Sequence, residues 1–584
     1  GAPPEAAGLP ALDAAKPGTG YIDPCPSGAP VRTYKPHVID VPITYNSAGW
    51  KDRQGRVYVA ESAVAAVRAG TKPPEPFTIR ARLGECVQVQ TTNDLHLDED
   101  PTKPIDHVNR LDGTFMSAEE TAEVSTHVHL VKFDELASDG TSVGWNYSSS
   151  AMPGQTYGYR WFVDQPLRTA FFHDHQYANL HQQKGLFAAL HVEPADATWH
   201  DPRTGDATDG TGTVADIRSA DGPDFREFTV FHSDRIPMWK DDGAGAAVNP
   251  PPAVDDFGAD QGGYALNYRN EPFQIRTSPS RTGPKRDPAY VYSSAVHGDP
   301  STPVFRAYPK DPVVVRNVDG AHEEVHTFNI HGHRWLNEPD NPSSTVVDTQ
   351  SLALAEYYNY EVSGSDVKRK PRNTKGTLKH ARNESANGAP SILAGGAGPP
   401  GDYLYGSTPL DDQWLGMWGI FRVPDGKALD DLLALPDAKK PTGGNNPWPA
   451  LKPGDPLNTE PPKLVKTCPA QSAARAFDVV AIQEVRGQYA ALRARVARQD
   501  RSGGATGPGE GVPLCDTIDR ELPGGRGLPE AAGQVVDGGV AGRGRLHLGG
   551  GGVGGRRVRV RHGPADRAPV ADRRVPDPAD GGSE

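Results

Sequence analysis

The chain has 584 residues, enough for three or four domains, and carries a formal net charge of −13. This acidic balance argues against a general role in nucleic-acid binding, and no apolar run approaches the length of a membrane span. Glycine (65) and proline (56) are abundant whereas methionine (4) is scarce. This composition favours turn-rich β structure over a helical bundle.

The N-terminal third of the chain divides into an arm and a strand-rich unit. Residues 1–36 are rich in alanine, glycine and proline, and we interpret them as an arm. Residues 37–195 carry short alternating apolar runs between turn residues, which is typical of a β-sandwich or barrel. Cys25 and Cys86 either form a disulfide, which would fit an oxidising compartment, or remain unpaired thiols. The chain starts without Met or a leader, so either a signal peptide was removed or there was none.

Two pairs of histidines stand in this first unit, each with one residue between its members: His127 with His129, and His173 with His175. Because side chains at i and i+2 of a strand point to one face, each pair can aim two imidazoles at one point. Two such strands side by side would offer four nitrogen ligands, which suits copper or zinc. One pair alone is a weak signal, since surface strands carry such pairs by chance. Two pairs in one strand-rich domain favour a metal site.

Three neighbouring features have alternative interpretations. His181 follows His175 by six residues and can be a third ligand or a group that supports the ligands, but we favour a solvated loop residue. His191 falls in a strand and is predicted to be a core or edge residue. The acidic run 94–100, which includes His96, can bind a divalent cation such as manganese, although a solvated acidic loop is the favoured interpretation.

A second strand-rich unit is predicted at 220–425. It follows a loop at about 196–222 whose composition is typical of a linker. Its segment 311–317 parallels 85–93 of the first unit, since both place a strand and then Asn ahead of a histidine-bearing segment. We interpret this similarity as a weak internal repeat of one β-domain.

The C-terminal part of the chain is predicted to be a linker followed by an incomplete unit. Residues 426–475 form the linker, which includes a short helical run at 428–433. Residues 476–584 begin as a partial third unit and end in a Gly/Arg-rich tail that cannot build a packed core. The tail is either a disordered arm or, as we favour, the product of a shifted reading frame, in which case further domains have been lost.

The order of these motifs resembles that of a multicopper oxidase. The similarity runs from Ser125–His129 through Met152-Pro153-Gly154-Gln155-Thr156-Tyr157 and Phe171–His175 to Gly185-Leu186-Phe187, and it covers about residues 37–425. This part of the chain resembles the first domain of ceruloplasmin-like oxidases, including large bacterial ones linked to manganese oxidation. The resemblance implies an all-β fold of tandem cupredoxin-like domains, which are Greek-key β-sandwiches, with a disordered or aberrant C-terminal tail.

In that family, the two first-domain pairs supply four of the eight histidines of a trinuclear copper cluster. The resemblance implies that His127 is a type 2 copper ligand and that His129, His173 and His175 are type 3 ligands. Each imidazole needs an acceptor for its second ring nitrogen, and Asp174 is a candidate.

The second unit resembles the blue-copper segment of the family but departs from it. His326 matches the blue-site ligand and His331 a type 3 ligand, whereas Asn329 stands where a type 2 histidine is expected. Further on, Gly406-Ser407-Thr408 replaces His-Cys-His, and Asp412 replaces the last histidine. A blue copper site requires a cysteine thiolate. We therefore expect no type 1 copper in this unit, and structural roles for its three retained histidines, which are His326, His331 and His333.

The resemblance implies a copper oxidoreductase that oxidises a metal ion or a phenol, with dioxygen as the electron acceptor. The chain holds half of a trinuclear cluster, so missing C-terminal domains or a partner subunit would complete it, and we do not expect the full four-electron reduction from this polypeptide alone. The alternatives are a copper-binding protein without turnover and a purely structural module. We expect no nucleic-acid or membrane partner, and an extracellular or cell-envelope location.

Overall fold

The computed structural model of the chain describes residues 22–95, 121–236, 238, 240–241, 247–248, 263–364, 396–424, 431–436, 474–475 and 515–516, with short gaps within the longer ranges. Most of the predicted acidic run, the partial third unit and the Gly/Arg-rich tail lie outside these residues. The described residues are mostly strands, with six short α-helices. None of the described helices is long and apolar enough to cross a lipid bilayer.

The strands are β1 (Val31–Tyr34), β2 (Pro36–Thr44), β3 (Lys51–Ala60), β4 (Phe77–Arg82), β5 (Cys86–Asn93), β6 (His127–Val128), β7 (Thr156–Phe162), β8 (Thr169–His173), β9 (Phe187–Glu193), β10 (Thr198–His200), β11 (Val214–Arg218), β12 (Phe225–Ile236), β13 (Lys240–Asp241), β14 (Ala247–Val248), β15 (Gly263–Leu266), β16 (Val304–Arg306), β17 (Val313–Ala321), β18 (His326–Ile330), β19 (His333–Leu336), β20 (Val346–Val347), β21 (Thr349–Leu352), β22 (Tyr357–Gly364), β23 (Gly401–Gly406), β24 (Trp418–Val423), β25 (Ala474–Arg475) and β26 (Cys515–Asp516). The α-helices are α1 (Val64–Arg68), α2 (Glu135–Ser138), α3 (Ala178–His181), α4 (Phe273–Arg276), α5 (Ser294–His297) and α6 (Leu410–Leu415). Single 3-10 turns cover Glu61–Ala63, Gly283–Lys285 and Pro288–Tyr290.

The first β-sandwich packs two sheets around an aromatic core. One sheet has the order β1-β5-β2-β3 with β7 beside β5, and the other has the order β4-β9-β8-β6. Tyr58, Trp161 and Phe172 are buried between them, with ring centroids 5.6–6.0 Å apart where they meet Phe172. A disulfide joins Cys25 to Cys86, which is the first of the two alternatives that the sequence left open. The predicted arm therefore has a structured end, since β1 pairs in parallel with β5.

The second β-sandwich repeats this plan on a larger scale. One sheet has the order β10-β11-β12-β17-β22-β19-β20 with β15 beside β12, and the other has the order β16-β24-β23-β18-β21. Its core contains Phe228, Phe328, Trp335, Tyr360 and Phe421. The all-β, tandem cupredoxin-like fold is thus confirmed. The segment predicted as a linker instead supplies β10 and β11, because β11 pairs antiparallel with β12 and extends its sheet.

The two sandwiches share a third core. Phe171 and Phe187, from β8 and β9, pack with Phe231, Tyr268 and Val318 of the second sandwich. Strand β9 is consequently buried along its whole length, which explains its continuous apolar run. The outer face of the histidine-bearing sheet is therefore fixed against a second domain.

The short segment 431–436 is not helical, so the predicted helical run fails at 431–433, and its first residues lie outside the described part of the chain. Leu432 and Leu435 are buried. The segment is held by main-chain bonds to the sandwich, because the Leu433 amide donates to the carbonyl oxygen of Pro202 at 2.8 Å. Separately, β25 and β26 form a parallel pair of two residues each.

Candidate metal centre

The two histidine pairs lie on neighbouring antiparallel strands. In the β6–β8 ladder, His127 faces His173 and Val128 faces Phe172. Val128 and Phe172 point into the core of the sandwich. Since side chains alternate along a strand, the histidines beside them point to the opposite face.

The four imidazole rings meet at this face. The His127 ring centroid lies 5.3 Å from that of His129, 5.4 Å from that of His173 and 4.7 Å from that of His175. Ligand nitrogens of His127, His129 and His173 lie within 4.8 Å of one another, which is close enough for one metal ion. His173 is buried, His127 and His129 are half-buried, and His175 is exposed.

Backbone carbonyls orient two of these rings. His127 donates from Nδ1 to the carbonyl oxygen of Asp139 at 2.6 Å, and His173 donates from Nδ1 to the carbonyl oxygen of Asp174 at 2.7 Å. Both Nε2 atoms are then left as lone-pair donors. The main-chain oxygen of Asp174, and not its carboxylate, is therefore the acceptor for the His173 ring. Glycine is required at position 140, beside this contact. Its φ is +82°, and a Cβ there would lie 2.9 Å from the backbone nitrogen of His127.

The local environment keeps two of the four imidazoles, those of His129 and His173, neutral. Burial, together with the smaller effects of the neighbouring imidazoles of His127 and His175, lowers the pKa of His129 to about 4. Burial likewise lowers the pKa of His173 to about 3, against the opposing effect of its bond to Asp174. Both rings are therefore neutral at pH 7, as metal ligation requires.

The same segment carries a family signature. Residues 116–197 match the family model for multicopper oxidase, and this range contains both histidine pairs. These residues are therefore a multicopper oxidase domain. Residues outside 116–197 are not covered by that match.

Among curated proteins, the chain is similar to a probable nitrite reductase–hydroxylamine oxidoreductase fusion protein of Kuenenia stuttgartiensis. The two are 22% identical over 325 residues, which are 55% of this chain and 27% of that protein. The chain thus matches about a quarter of the length of this relative.

Solved structures of copper proteins also align with this chain. The alignment with a crystal structure of a multicopper oxidase covers 68% of this chain and 90% of that protein's chain, at 16% identity and a TM-score of 0.37. The alignment with a copper nitrite reductase from Nitrosomonas europaea covers 68% of this chain and 94% of the reductase chain, at 12% identity and a TM-score of 0.37. The alignment with a blue copper oxidase from the same organism covers 70% of this chain and 92% of the oxidase chain, at 14% identity and a TM-score of 0.35.

The position of His181 corrects a sequence-based expectation. It is fully buried at the end of α3 and is not a solvated loop residue. Its Nδ1 donates to Asp174 Oδ2 at 2.8 Å, and Arg56 donates to its Nε2 at 2.8 Å. The sequence signal for this role is its position directly after Leu180 on an amphipathic turn, which turns both side chains inward. His191 is a core residue, as predicted.

The second sandwich gathers the residues that align with a blue-copper site. His326 is fully buried and bonds through Nε2 to Asp234 Oδ2 at 3.0 Å and through Nδ1 to Asp412 Oδ2 at 2.9 Å. Ser407 donates its hydroxyl hydrogen to Asp412 Oδ2. Sequence reasoning missed Asp234, because it stands in β12 with no motif around it.

Carboxylates dominate the electrostatics of this His326 cluster, which we define as His326, Asp234, Asp319, Asp412 and Ser407. Burial by itself lowers the pKa of His326, but hydrogen bonds to Asp234 and Asp412, with the charges of Asp412 and Asp319, raise it to about 10. His326 is therefore an imidazolium at pH 7, with both ring nitrogens engaged.

The other two retained histidines of the second unit lie apart from this cluster. His333 is buried and its Nε2 accepts a hydrogen bond from the Gly398 amide at 3.0 Å. His331 is exposed, and its amide donates to the Leu404 carbonyl oxygen at 2.9 Å. Neither belongs to the group of metal-ligating side chains found among the described residues.

Proposed function

We propose that this chain is a copper-binding oxidoreductase that supplies the first-domain half of a trinuclear copper site. The observation that carries the proposal is the meeting of four imidazoles, two on strands β6 and β8 and two just after these strands, at one face of the sheet. Three of them offer nitrogen atoms within 4.8 Å of one another. A nitrogen-only donor set suits copper, and the match of residues 116–197 to the multicopper oxidase model favours copper over zinc.

The resemblance assigns His127 to type 2 copper and His129, His173 and His175 to type 3 copper. Bound copper would supply one-electron redox chemistry with dioxygen as the acceptor. The protein's part is to hold the rings. The carbonyls of Asp139 and Asp174 fix two of them, and burial keeps His129 and His173 unprotonated.

We infer that the second sandwich holds no type 1 copper. Ser407 stands where a thiolate is required, and a hydroxyl stays protonated near neutral pH. His326 has no free lone pair for a metal while both of its ring nitrogens bond to carboxylates. Electrons from the substrate would then enter through another domain.

The exposed position of His175 supports an open, incomplete site, which further C-terminal domains or a partner subunit would complete. The reducing substrate is proposed to be a metal ion, Mn(II) or Fe(II), or a phenol. Nitrite is the alternative acceptor to test, because the curated relative is described as a probable nitrite reductase. The Cys25–Cys86 disulfide supports an extracellular or cell-envelope location.

Copper titration of the metal-free chain tests this proposal. We expect the wild-type protein to bind copper, His127→Ala and His173→Ala to bind less, and the matched control His326→Ala to bind as much as wild type. Equal losses in all three variants would contradict the inference about the second sandwich.

The same titration separates the alternative functions. Bound copper without consumption of dioxygen, either alone or with a phenol or Mn(II), favours a non-catalytic copper-binding protein. Copper binding near zero in the wild-type chain would overturn the proposal and leave a structural module.

A further inference from the structure

The Nδ1 atom of His173 has two polar neighbours. It lies 2.7 Å from the carbonyl oxygen of Asp174, and the side-chain amide nitrogen of Gln182 lies 2.8 Å from the same Nδ1. A carbonyl oxygen can only accept a hydrogen bond, so it favours a hydrogen on Nδ1. An amide nitrogen can only donate, so it favours a bare Nδ1. The two contacts therefore favour opposite tautomers of one imidazole.

The opposite side of the His173 ring makes the choice of tautomer important. His173 Nε2 lies 3.2 Å from His129 Nε2. A hydrogen on His173 Nε2 would bond to His129, and that tautomer has no lone pair on Nε2 for a metal ion. Metal ligation through Nε2 requires the hydrogen to be on Nδ1 instead. The metal-binding tautomer therefore needs acceptors at Nδ1 that outweigh the bond to His129.

The amide of Gln182 can supply one of these acceptors. The oxygen and nitrogen of a glutamine amide exchange places when the group turns over, so the same side chain can face a ring nitrogen with either atom. When the hydrogen is on Nδ1, the amide nitrogen would place two donors against each other, whereas the amide oxygen accepts. His173 then has two acceptors at Nδ1, one from the main chain of Asp174 and one from Gln182.

Contacts with the second sandwich hold the turn that carries Gln182. The neighbouring side chain, Gln183, donates from its amide nitrogen to the carbonyl oxygen of Asp234 at 2.9 Å. Tyr268 donates its hydroxyl hydrogen to the carbonyl oxygen of Gly185. Asp234 and Tyr268 are both fully buried. The approach of Gln182 to the imidazole is therefore set by packing between the sandwiches and not by the turn alone.

We propose that Gln182 is a positioning residue that keeps the Nε2 lone pair of His173 free for copper, by accepting the Nδ1 hydrogen together with the Asp174 carbonyl oxygen. This inference rests on the proposed copper function and deepens it, because it assigns the tautomer of one type 3 ligand to a side chain. The role depends on the acceptor at position 182. A general structural role would depend on the size of the side chain instead.

Two substitutions of Gln182 separate acceptor chemistry from size. Gln182→Glu keeps the shape of the side chain and offers only acceptors at pH 7, whereas Gln182→Leu offers neither an acceptor nor a donor. Residues that orient metal ligands typically change metal affinity by about 10- to 100-fold, so we expect a loss of this size in Gln182→Leu. Gln182→Glu should bind copper at least as tightly as the wild-type chain.

The same two substitutions at Gln176 control for the added charge. Gln176 lies between His175 and α3, is half-buried like Gln182, and donates from its amide to the carbonyl oxygen of Gly140 at 3.2 Å. Gln176→Glu therefore adds the same charge on the same turn without offering an acceptor to His173. The ratio of copper affinities between the Glu and Leu variants should be at least about tenfold larger at position 182 than at position 176.

The experiment titrates Cu(II) alone into the full metal-free chain and measures bound copper by equilibrium dialysis at pH 7. Copper binding that falls in Gln182→Leu and is kept in Gln182→Glu supports the proposal. Equal ratios at positions 182 and 176 would overturn it, because the effect would then be one of charge. Weaker binding by Gln182→Glu than by the wild-type chain would also overturn it.

Nitrogen-15 NMR of the metal-free chain, with labelled histidine, gives a readout that does not depend on copper. The chemical shifts of the two ring nitrogens report which one carries the hydrogen, and the signals of His173 are assigned by their loss in His173→Ala. We expect the hydrogen on Nδ1 in the wild-type chain and in Gln182→Glu, and a shift of the population toward Nε2 in Gln182→Leu. An unchanged tautomer in Gln182→Leu would overturn the proposal.

The tautomer measurement also separates the possible failures. If Gln182→Leu does not fold, Gln182→Glu decides the matter, because a hydrogen on His173 Nε2 in that variant would overturn the proposal and a hydrogen on Nδ1 supports it. A wild-type chain that binds no copper would refute the proposed function, whereas the NMR spectra would still decide the positioning role of Gln182.

Discussion

The Nε2 atoms of His129 and His173 lie 3.2 Å apart, with the two rings close to perpendicular at 76°. Both rings are neutral at pH 7 because burial lowers their pKa values. Two unprotonated nitrogens at this separation suit a single metal ion, since one ion can accept both lone pairs. The pair is therefore the part of the proposed site that we expect to bind one ion together.

The first prediction concerns this shared ion. His129→Ala and His173→Ala should each lower the copper content by about one ion per chain, and the double variant should lose no more than either single variant. Copper content per chain, measured after dialysis, checks this expectation. His331→Ala, which removes an exposed histidine from the second sandwich, is the control and should keep the wild-type content. Additive losses would show that the two imidazoles bind different ions.

The second prediction concerns the blue-copper position in the second sandwich. His326, Ser407 and Asp412 already meet there through hydrogen bonds. Replacing Ser407 by Cys and Asp412 by His would restore the thiolate and two imidazoles that a blue site requires. We expect the double variant with copper to show an intense thiolate-to-copper band in the visible spectrum, and the wild-type protein to show none.

The single variant Ser407→Cys is the control for this experiment. It supplies a thiolate but leaves His326 bonded to two carboxylates, so it should give at most a weak band. A strong band in the unmodified protein would contradict the inference that the second sandwich has no type 1 copper. A folded double variant that binds copper without the band would show that the geometry of the position has been lost.

The sequence predicts the local part of the site and misses the part made by tertiary contacts. The His-x-His spacing alone predicts that two side chains share a face, and β6 and β8 place both pairs accordingly. The burial of His181 depends on a turn capped by Asp174 and on Arg56, more than a hundred residues upstream. Asp234 on β12 is similarly missed, because no local pattern in the sequence shows that it meets His326 on β18.

Strand prediction shows the same division. The alternating run of β5 follows from the sequence, because this strand buries every second residue or more. Strand β1 has four residues and β10 has three, too few for a period to be recognised, and both lie in segments that composition assigns to an arm and a linker. Their pairing with longer strands supplies the information that their own residues lack.

The third prediction concerns the pH dependence of stability through His326. Its pKa in the folded protein is raised to about 10 from the ordinary value of 6.5. The protonated ring therefore contributes its full stabilisation below about pH 6.5, and this contribution is lost as the pH rises through 10. The free energy of unfolding, measured with urea from pH 6 to pH 10.5, should fall across this range.

His326→Gln is the control for the pH prediction, since glutamine keeps hydrogen bonds but does not titrate. Asp319 also makes the protein less stable as the pH rises. Burial raises its pKa, the charge of His326 opposes this shift, and the charges of Asp234 and Asp412 add to it. The expected result is therefore a shallower fall in the variant and not a flat line. A variant curve parallel to that of the wild type would remove His326 from the explanation.

The fourth prediction concerns a buried ion-pair ladder between the two sandwiches. Arg316 on β17 contacts Glu193 on β9 at 2.7 Å and Glu227 on β12 at 2.8 Å, and Arg80 on β4 contacts Glu227 at 2.7 Å. All four side chains are at most 1% exposed. Burial raises the pKa of Glu193 to about 8, and the charge of Arg316 opposes this shift. Arg316→Met would leave the Glu193 carboxyl group in the interior without its cationic partner. It should lower the free energy of unfolding by about 3–5 kcal/mol, the usual cost of breaking a buried pair on one side.

A second substitution separates the lost charge from lost packing. Arg316→Met combined with Glu193→Gln leaves Glu227 paired with Arg80, so the double variant should recover at least half of the loss. Arg422→Met is the matched control, because that arginine pairs with Asp299 and Asp402 at the surface. It should cost at most about 1 kcal/mol, since surface pairs are screened by solvent. Urea unfolding at pH 7 measures all three, and a double variant no more stable than Arg316→Met would attribute the cost to packing at the domain interface.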